Sequence, residues 1–402
     1  MAKKFLNISK RAEEAQFSPI RKFVPFLEKA KKRGIEVFEL HIGQPDLETP
    51  KEILKEIKSF KGKILAYTNS IGIEEVRTAW QKYYKNFGLN FDASEIIVTT
   101  GGSEAILFAF ATICNPGEEI IVFEPFYTNY NGYASVAGIK LVPLRTLAKT
   151  GFHLPKRMEI ERKINKKTRG ILICNPNNPT GTVYKKEELK MLTEIAKKKN
   201  FFILSDEVYR EFVYDGEKHY SMMNFPEIKN RVILLDSISK RFSACGARIG
   251  CLASKNKKVI EGATKFAQAR LSAPMIEQLA VIPLLKNSKK YTQKIVREYK
   301  KRRDTVFQAL QKIPGVFCLE PKGAFYITVK LPVGDSDKFA KWLLTDFSFQ
   351  GKTVMVAPAS GFYATKGLGK DEIRIAFVLS SEKLKEAMEI FKKGLEKYIK
   401  IY

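Results

Sequence analysis

A lysine directly after a buried strand is a candidate nucleophile. The chain has one in Asp236-Ser237-Ile238-Ser239-Lys240. The preceding run, Val232-Ile233-Leu234-Leu235, is short and wholly apolar, the pattern of a buried strand. A lysine at such a strand end is poorly solvated, and desolvation disfavours its charged form. A neutral amine can form a Schiff base with an aldehyde. The sequence is rich in lysine, so Lys240 by itself identifies no chemistry. The ends of the other strands supply what is missing.

Arg169-Gly170-Ile171-Leu172-Ile173-Cys174 reads as a strand running into Asn175-Pro176-Asn177-Asn178-Pro179-Thr180-Gly181. Phe201-Phe202-Ile203-Leu204 reads as another, running into Ser205-Asp206-Glu207-Val208-Tyr209. Roughly thirty residues separate them, the spacing of a βαβ unit. Lys185 to Lys199 between them carries Leu189, Leu192, Ile195 and Ala196 at helical spacing. In an open α/β sheet, ligands sit outside the carboxyl ends of the strands. Asn178, Asp206, Tyr209 and Lys240 are thus expected in one crevice. An amide, a carboxylate, a phenol and an amine there can hold a cofactor that carries an aldehyde and a basic ring nitrogen. Pyridoxal phosphate has both needs.

A phosphate also needs a cradle. Ile96-Ile97-Val98 reads as a strand, Thr99-Thr100-Gly101-Gly102-Ser103 as a turn, and Ala105 to Phe110 as an apolar helix. Glycines let the backbone approach a ligand, and the free N–H groups of a helix start attract an anion. Alternatives exist for each feature. Gly-Gly-Ser and Asp206 suit ordinary helix caps, Asn178-Pro179-Thr180-Gly181 suits a turn, and Tyr127 and Tyr209 suit half-buried aromatic positions.

Taken jointly, these pieces resemble the class I aminotransferases of pyridoxal-phosphate fold type I. The resemblance runs from Ile42-Gly43-Gln44-Pro45-Asp46 to Glu372-Ile373-Arg374-Ile375-Ala376. It includes Tyr67 ahead of Gly72, TTGGSEA, Tyr127 in EPFY, NNPTG, SDEVY, SISK and Arg248. Within the family the chain is most similar to bacterial aspartate aminotransferases, in SKRFSACGARIG and MVAPASGFY among others.

The resemblance implies a role for each residue. Lys240 carries the Schiff base and shuttles the proton between substrate and cofactor. Asp206 pairs with the ring nitrogen, and Asn178 and Tyr209 hydrogen-bond the ring's phenolic oxygen. Tyr127 stacks on the ring, while Gly102, Ser103, Ser237 and Arg248 hold the phosphate. Tyr67 reaches the phosphate of a neighbouring subunit, so a homodimer is expected. Arg374, helped by the Gly43 backbone, clamps the α-carboxylate of the substrate, a contact suited to a planar guanidinium. The implied fold is α/β. It has a large domain with a mainly parallel seven-stranded sheet, and a smaller α+β domain drawn from both termini. The expected division is 1–50 for the arm and part of the small domain, 51–290 for the large domain, and 291–402 for a linker helix and the C-terminal small domain. The linker helix is expected from about Lys290 to Leu310, and a final amphipathic helix from Ser381 to Tyr398.

Composition agrees with an intracellular enzyme. The 402 residues, 45% hydrophobic, are enough for a large core and exclude a disordered chain. No apolar stretch is long enough to span a membrane, and Met1 to Gln16 lacks a signal-peptide pattern; a cytoplasmic location is expected. The scattered Cys114, Cys174, Cys245, Cys251 and Cys318 show no zinc spacing. His41, His153 and His219 share no motif, which argues against a histidine triad. The net charge of +27 comes mostly from lysine along helical stretches. No nucleic-acid-binding signature accompanies it, so a solvated lysine surface is expected.

Arg374 accounts only for the carboxylate that all amino acids share. One branch of the family reads a second carboxylate with an arginine from the other subunit, and alignment on Ser272-Ala273-Pro274 puts Gln268 there. Arg270 and Arg21 are the candidate replacements. Aspartate with 2-oxoglutarate is the favoured substrate pair. Aromatic or alanine-type donors, and a carbon–sulfur β-lyase reaction, are the alternatives.

Overall fold

The computed structural model describes residues 7–402; the first six residues of the expected arm lie outside the described residues. A seven-stranded sheet forms the centre. Its spatial order is Ile96–Thr99, Gly250–Ala253, Val232–Ser237, Phe202–Asp206, Thr168–Cys174, Glu119–Glu124 and Lys140–Arg145. Only Gly250–Ala253 runs against its neighbours, so the sheet is mainly parallel.

The central strands are apolar on both faces because helices cover both faces. Ile171 and Ile173 face one core with Ile203 and Leu234. Leu172 faces the other, with Leu204, Ile233 and Leu235. Helices Glu74–Lys85, Lys186–Lys199 and Met275–Lys286 close the first face. Gly101–Ile113, Asn129–Ala137 and Lys257–Arg270 close the second. The Lys186–Lys199 helix matches its expected span. It opens with Glu187 and Glu188, ends with three lysines, and stops at Asn200 in the left-handed region (φ 55°). Acids at the start and bases at the end both suit the helix dipole.

A second unit packs beside the first. Strand Tyr326–Lys330 pairs antiparallel with Glu372–Ala376, which pairs with Ala357–Pro358. Near the start of the chain, Glu36–Glu39 pairs parallel with Lys352–Met355. Helix Ser288–Leu310 packs along the final helix Ser381–Ile401. Leu27, Phe38 and Leu40 share one core with Ile375 and Phe391, so early and late chain fold together.

Candidate functional site

The parallel strands end level with one another and deliver their last residues to one edge. Cys174 is in register with Asp206, and Asp206 with Leu235. Gly250 lies between Thr99 and Ser237 in the ladder. A side chain at Gly250 would collide with the backbone of Gly101 and Gly102. Glycine there lets the start of the Gly101–Ile113 helix come up against Ser237. Gly101 itself has φ +74° and lies against the Arg248 guanidinium, with no space for a β-carbon.

At this edge lies a cavity of about 990 Å³. Gly43, Gly102, Ser103, Tyr127, Asn178, Asp206, Tyr209, Ser237, Lys240, Arg248 and Arg374 all line it. Of the residues given a cofactor or α-carboxylate role by the resemblance, Tyr67 lies apart, 78% exposed and outside this cavity.

Two features of the cavity stand out chemically. Asp206 is only 7% exposed. Its carboxylate accepts hydrogen bonds from the Tyr130 hydroxyl (2.7 Å) and the Val208 N–H (3.3 Å). No lysine or arginine pairs with it among the described residues. Burial therefore raises its pKa to about 6, against the opposing effect of the Tyr130 hydrogen bond. Arg374, 2% exposed, is the mirror case. It donates to Asn178 Oδ1 (3.0 Å) and to the His41 carbonyl, and its guanidinium lies 4.5 Å from the centre of the Tyr326 ring. It has no carboxylate partner among the described residues, and burial lowers its pKa. In the same cavity Lys240 Nζ donates to the Gly43 carbonyl (2.8 Å), with Cys245 Sγ at 3.8 Å.

A pyridoxal-phosphate-sized group fits this chemistry. The buried carboxylate lacks a cation, the buried guanidinium lacks an anion, and Gly102, Ser103, Ser237 and Arg248 gather at a helix start. The Asn178 amide keeps both N–H donors, because its oxygen accepts from Arg374. The Tyr209 hydroxyl shares a 2.8 Å hydrogen bond with Tyr326. Burial pushes both the Tyr209 and Tyr127 phenols well up, so both stay neutral.

The two candidate readers of a second carboxylate differ in placement within the chain. Arg270 does not line the cavity. Its guanidinium donates to the carbonyls of Ser70 (3.1 Å) and Val98 (3.2 Å) and lies 3.6 Å from Glu104. Those contacts tie helix Lys257–Arg270 to the strand bearing Val98. Arg21 does line the cavity, at its arm side with Ser18 and Ile20.

Sequence reasoning missed Tyr130, Tyr326 and His41. Tyr130 falls three residues after Tyr127, at a spacing that places both on one side of a turn. Tyr326 is the first residue of a strand paired with the Arg374 strand. A β-carbon on Gly43 would overlap the Tyr326 hydroxyl, so the glycine of IGQPD is required by that tyrosine. His41 is buried between Glu39 and Arg374, and burial lowers its pKa to about 4, leaving a neutral imidazole.

Fold and pocket together define an enzyme of the aminotransferase type, and comparison with known proteins agrees. Residues 35–391 match the family Aminotransferase class I and II, and the chain belongs to that family, whose cofactor is pyridoxal phosphate. It is 36% identical to an aspartate aminotransferase of Pyrococcus horikoshii, over 90% of this chain and 91% of that one. It is 33% identical to aromatic-amino-acid aminotransferase 2 of Thermococcus litoralis, over 97% and 99%. An alanine aminotransferase structure from Pyrococcus furiosus superposes with a TM-score of 0.89 at 31% identity, covering 97% of this chain and all of the other. No helix among the described residues is long and apolar enough to cross a membrane.

Proposed function

We propose that the protein moves an amino group between an L-amino acid, aspartate being favoured, and 2-oxoglutarate, in two successive half-reactions. The observation that carries this reading is that an amine, a buried carboxylate without a cation and a buried guanidinium without a carboxylate line one cavity. Bound there, pyridoxal phosphate supplies an aldehyde for the Lys240 amine and a protonated ring that accepts electron density as the substrate Cα–H bond breaks.

The side chains then divide the work. Asp206 holds the proton on the ring nitrogen, and its own raised pKa falls once that cation is beside it. Asn178 and Tyr209 donate to the phenolic oxygen. Tyr127 covers the ring face. Gly102, Ser103, Ser237 and Arg248 hold the phosphate. Arg374 takes the α-carboxylate, with the Gly43 N–H. The Lys240 amine, once the substrate's amino group has replaced it on the cofactor, would be the group placed to take and return the substrate Cα proton. Tyr67 reaches the phosphate in a partner subunit, which makes the working form a homodimer. Residues 51–290 form the cofactor-binding domain. Residues 1–50 and 291–402 supply the arm, the linker helix and the small domain. The enzyme acts in the cytoplasm on free amino and 2-oxo acids, and its lysine surface serves solvation rather than nucleic-acid binding.

A panel of donors and 2-oxo acids with purified, cofactor-loaded protein tests the reading. Aspartate and glutamate are the expected best donors. Preference for aromatic donors or alanine would remove the aspartate assignment and keep the transaminase. Release of pyruvate and ammonia from cystathionine, without transamination, would make the protein a β-lyase. Borohydride treatment should fix the cofactor to the peptide containing Lys240.

A further inference from the structure

Beneath the cavity floor lies a second set of charges. Four residues that face the cavity have a chain neighbour that turns the opposite way: Asp206 with Glu207, Tyr209 with Arg210, Ser237 with Asp236, and Lys240 with Arg241. In the strands this follows from the alternation of side chains. None of the four neighbours lines the cavity, and all are essentially sealed from solvent.

Their contacts cross between the two loops. Arg210, on the loop of Asp206, contacts Glu207 (2.8 Å) and reaches Asp236 on the Lys240 loop (3.6 Å). Arg241, on the Lys240 loop, pairs with Asp236 and reaches back to Glu211 on the Asp206 loop (3.3 Å). The same Asp236 carboxylate accepts the Ser237 N–H (2.7 Å). The guanidiniums lie over aromatic rings of one helix: Arg241 is 4.6 Å from the Tyr83 ring centre, and Arg210 is 5.0 Å from that of Tyr84. The Tyr83 hydroxyl donates to Glu211.

Replacing buried ion pairs by apolar side chains often leaves a fold as stable or more so. A buried ion pair that bridges two loops can instead serve to set their register, and reactions demand that reacting groups be held closely. We propose that Arg210 and Arg241 are positioning residues which, through Asp236, Glu207 and Glu211, set the spacing of Lys240 and Ser237 against Asp206 and Tyr209. This rests on the reading of the cavity as the pyridoxal-phosphate site.

The test compares Arg241→Met with Arg303→Met. Arg303 is an equally buried arginine, paired with Asp215 and donating to the Pro321 carbonyl, away from the cavity. Both variants are unfolded thermally without cofactor, titrated with pyridoxal phosphate, and followed through the pH titration of the bound cofactor's absorption band. Both should lose stability. Arg241→Met alone should weaken cofactor affinity by about tenfold or more and displace the band's titration, with a fall in kcat larger than any rise in KM. Arg241→Lys, which keeps the charge, should recover part of the affinity. If Arg241→Met does not fold, Arg241→Lys and Tyr83→Phe are compared with Arg303→Met in the same way. Affinity and band titration changed no more than in Arg303→Met would overturn the proposal. If the unmutated protein fails to bind pyridoxal phosphate, the reading of the cavity falls and this inference falls with it.

Discussion

Two groups of buried charge, one lining the cavity and one behind the strand ends that carry Asp206 and Ser237, differ in one respect. Below the cavity floor, Arg210 and Arg241 meet Glu207, Glu211 and Asp236, and every charge has an opposite partner within 3.6 Å. In the cavity, Asp206 and Arg374 are also buried and have none among the described residues. Burying an unpaired charge is costly, so a fold retains one only where something gained compensates. Elsewhere a buried carboxylate without a cation, Glu124 or Glu372, is met by backbone N–H groups or the Tyr363 hydroxyl. Asp206 and Arg374 differ in facing one cavity, where a ligand of opposite charge can complete the pairing. Perturbed groups in a cleft point the same way.

The largest effect should come from the group that neither set explains. Lys240 is half-buried and bonded to a carbonyl, an arrangement of no evident value to the fold. Lys240→Ala should lower turnover by more than about a thousandfold, about 4 kcal/mol of barrier. Pyridoxal phosphate should still bind, but borohydride should no longer fix it. Stable fixation to another lysine in this variant or in the parent protein would break the assignment.

Asp206 sharpens the comparison because its two roles predict opposite signs. Its folded pKa is raised by burial from 3.8 to about 6, so the folded protein holds a proton that the unfolded chain has lost. In cofactor-free protein its contribution to stability is best below the unfolded value and worsens as pH rises through the folded one. Asp206→Asn stays neutral throughout. Above that window it should stabilise the cofactor-free protein by up to about 3 kcal/mol, with no gain in more acidic solution. Its turnover should nevertheless fall by more than about tenfold, about 1.4 kcal/mol. Thermal unfolding across pH and steady-state kinetics measure the two effects. Stability loss at neutral pH would mean that Asp206 is a paired structural group like Asp236.

Arg374→Lys probes the other unpaired end. An ammonium cannot reproduce the bidentate fork, so kcat/KM should fall by about tenfold or more for every amino donor alike. Donors of different side chain assayed side by side give the check. A loss confined to dicarboxylates would mean that Arg374 reads the side chain.

The contrast between the two sets was only half legible in sequence. The cavity side was readable because strand ends and turn motifs carry its residues. The runs ending at Cys174, Leu204 and Leu235 are continuous apolar stretches, and all three form central strands. The paired side was not. Arg210 and Arg241 look like two more surface cations in a chain with 70 basic residues. Only the packing of the Glu74–Lys85 helix against the strand ends buries them. The within-chain contacts of Arg270 were hidden for a related reason. Its partners are carbonyls of Ser70 and Val98, and backbone acceptors leave no trace in residue identity. Tyr326 was visible as part of a strand, yet its contact with Tyr209 depends on how the two units meet.

The smallest expected effect separates Arg21 from Arg270. Arg21 is exposed and lines the arm side of the cavity. Arg270 is held by two carbonyls and approached by Glu104. Arg21→Gln should therefore weaken aspartate and glutamate by about threefold to tenfold, the scale of a solvent-exposed charge contact, and spare alanine and phenylalanine. Arg270→Gln should lower the unfolding temperature and leave the ratio of aspartate to alanine unchanged, because it removes packing rather than a cavity charge. The informative quantity is that ratio, since a general loss of activity cancels from it. An unchanged ratio in Arg21→Gln would move recognition of the second carboxylate to another group. A changed ratio in Arg270→Gln would show that its contacts in the single chain do not describe its role in the working enzyme.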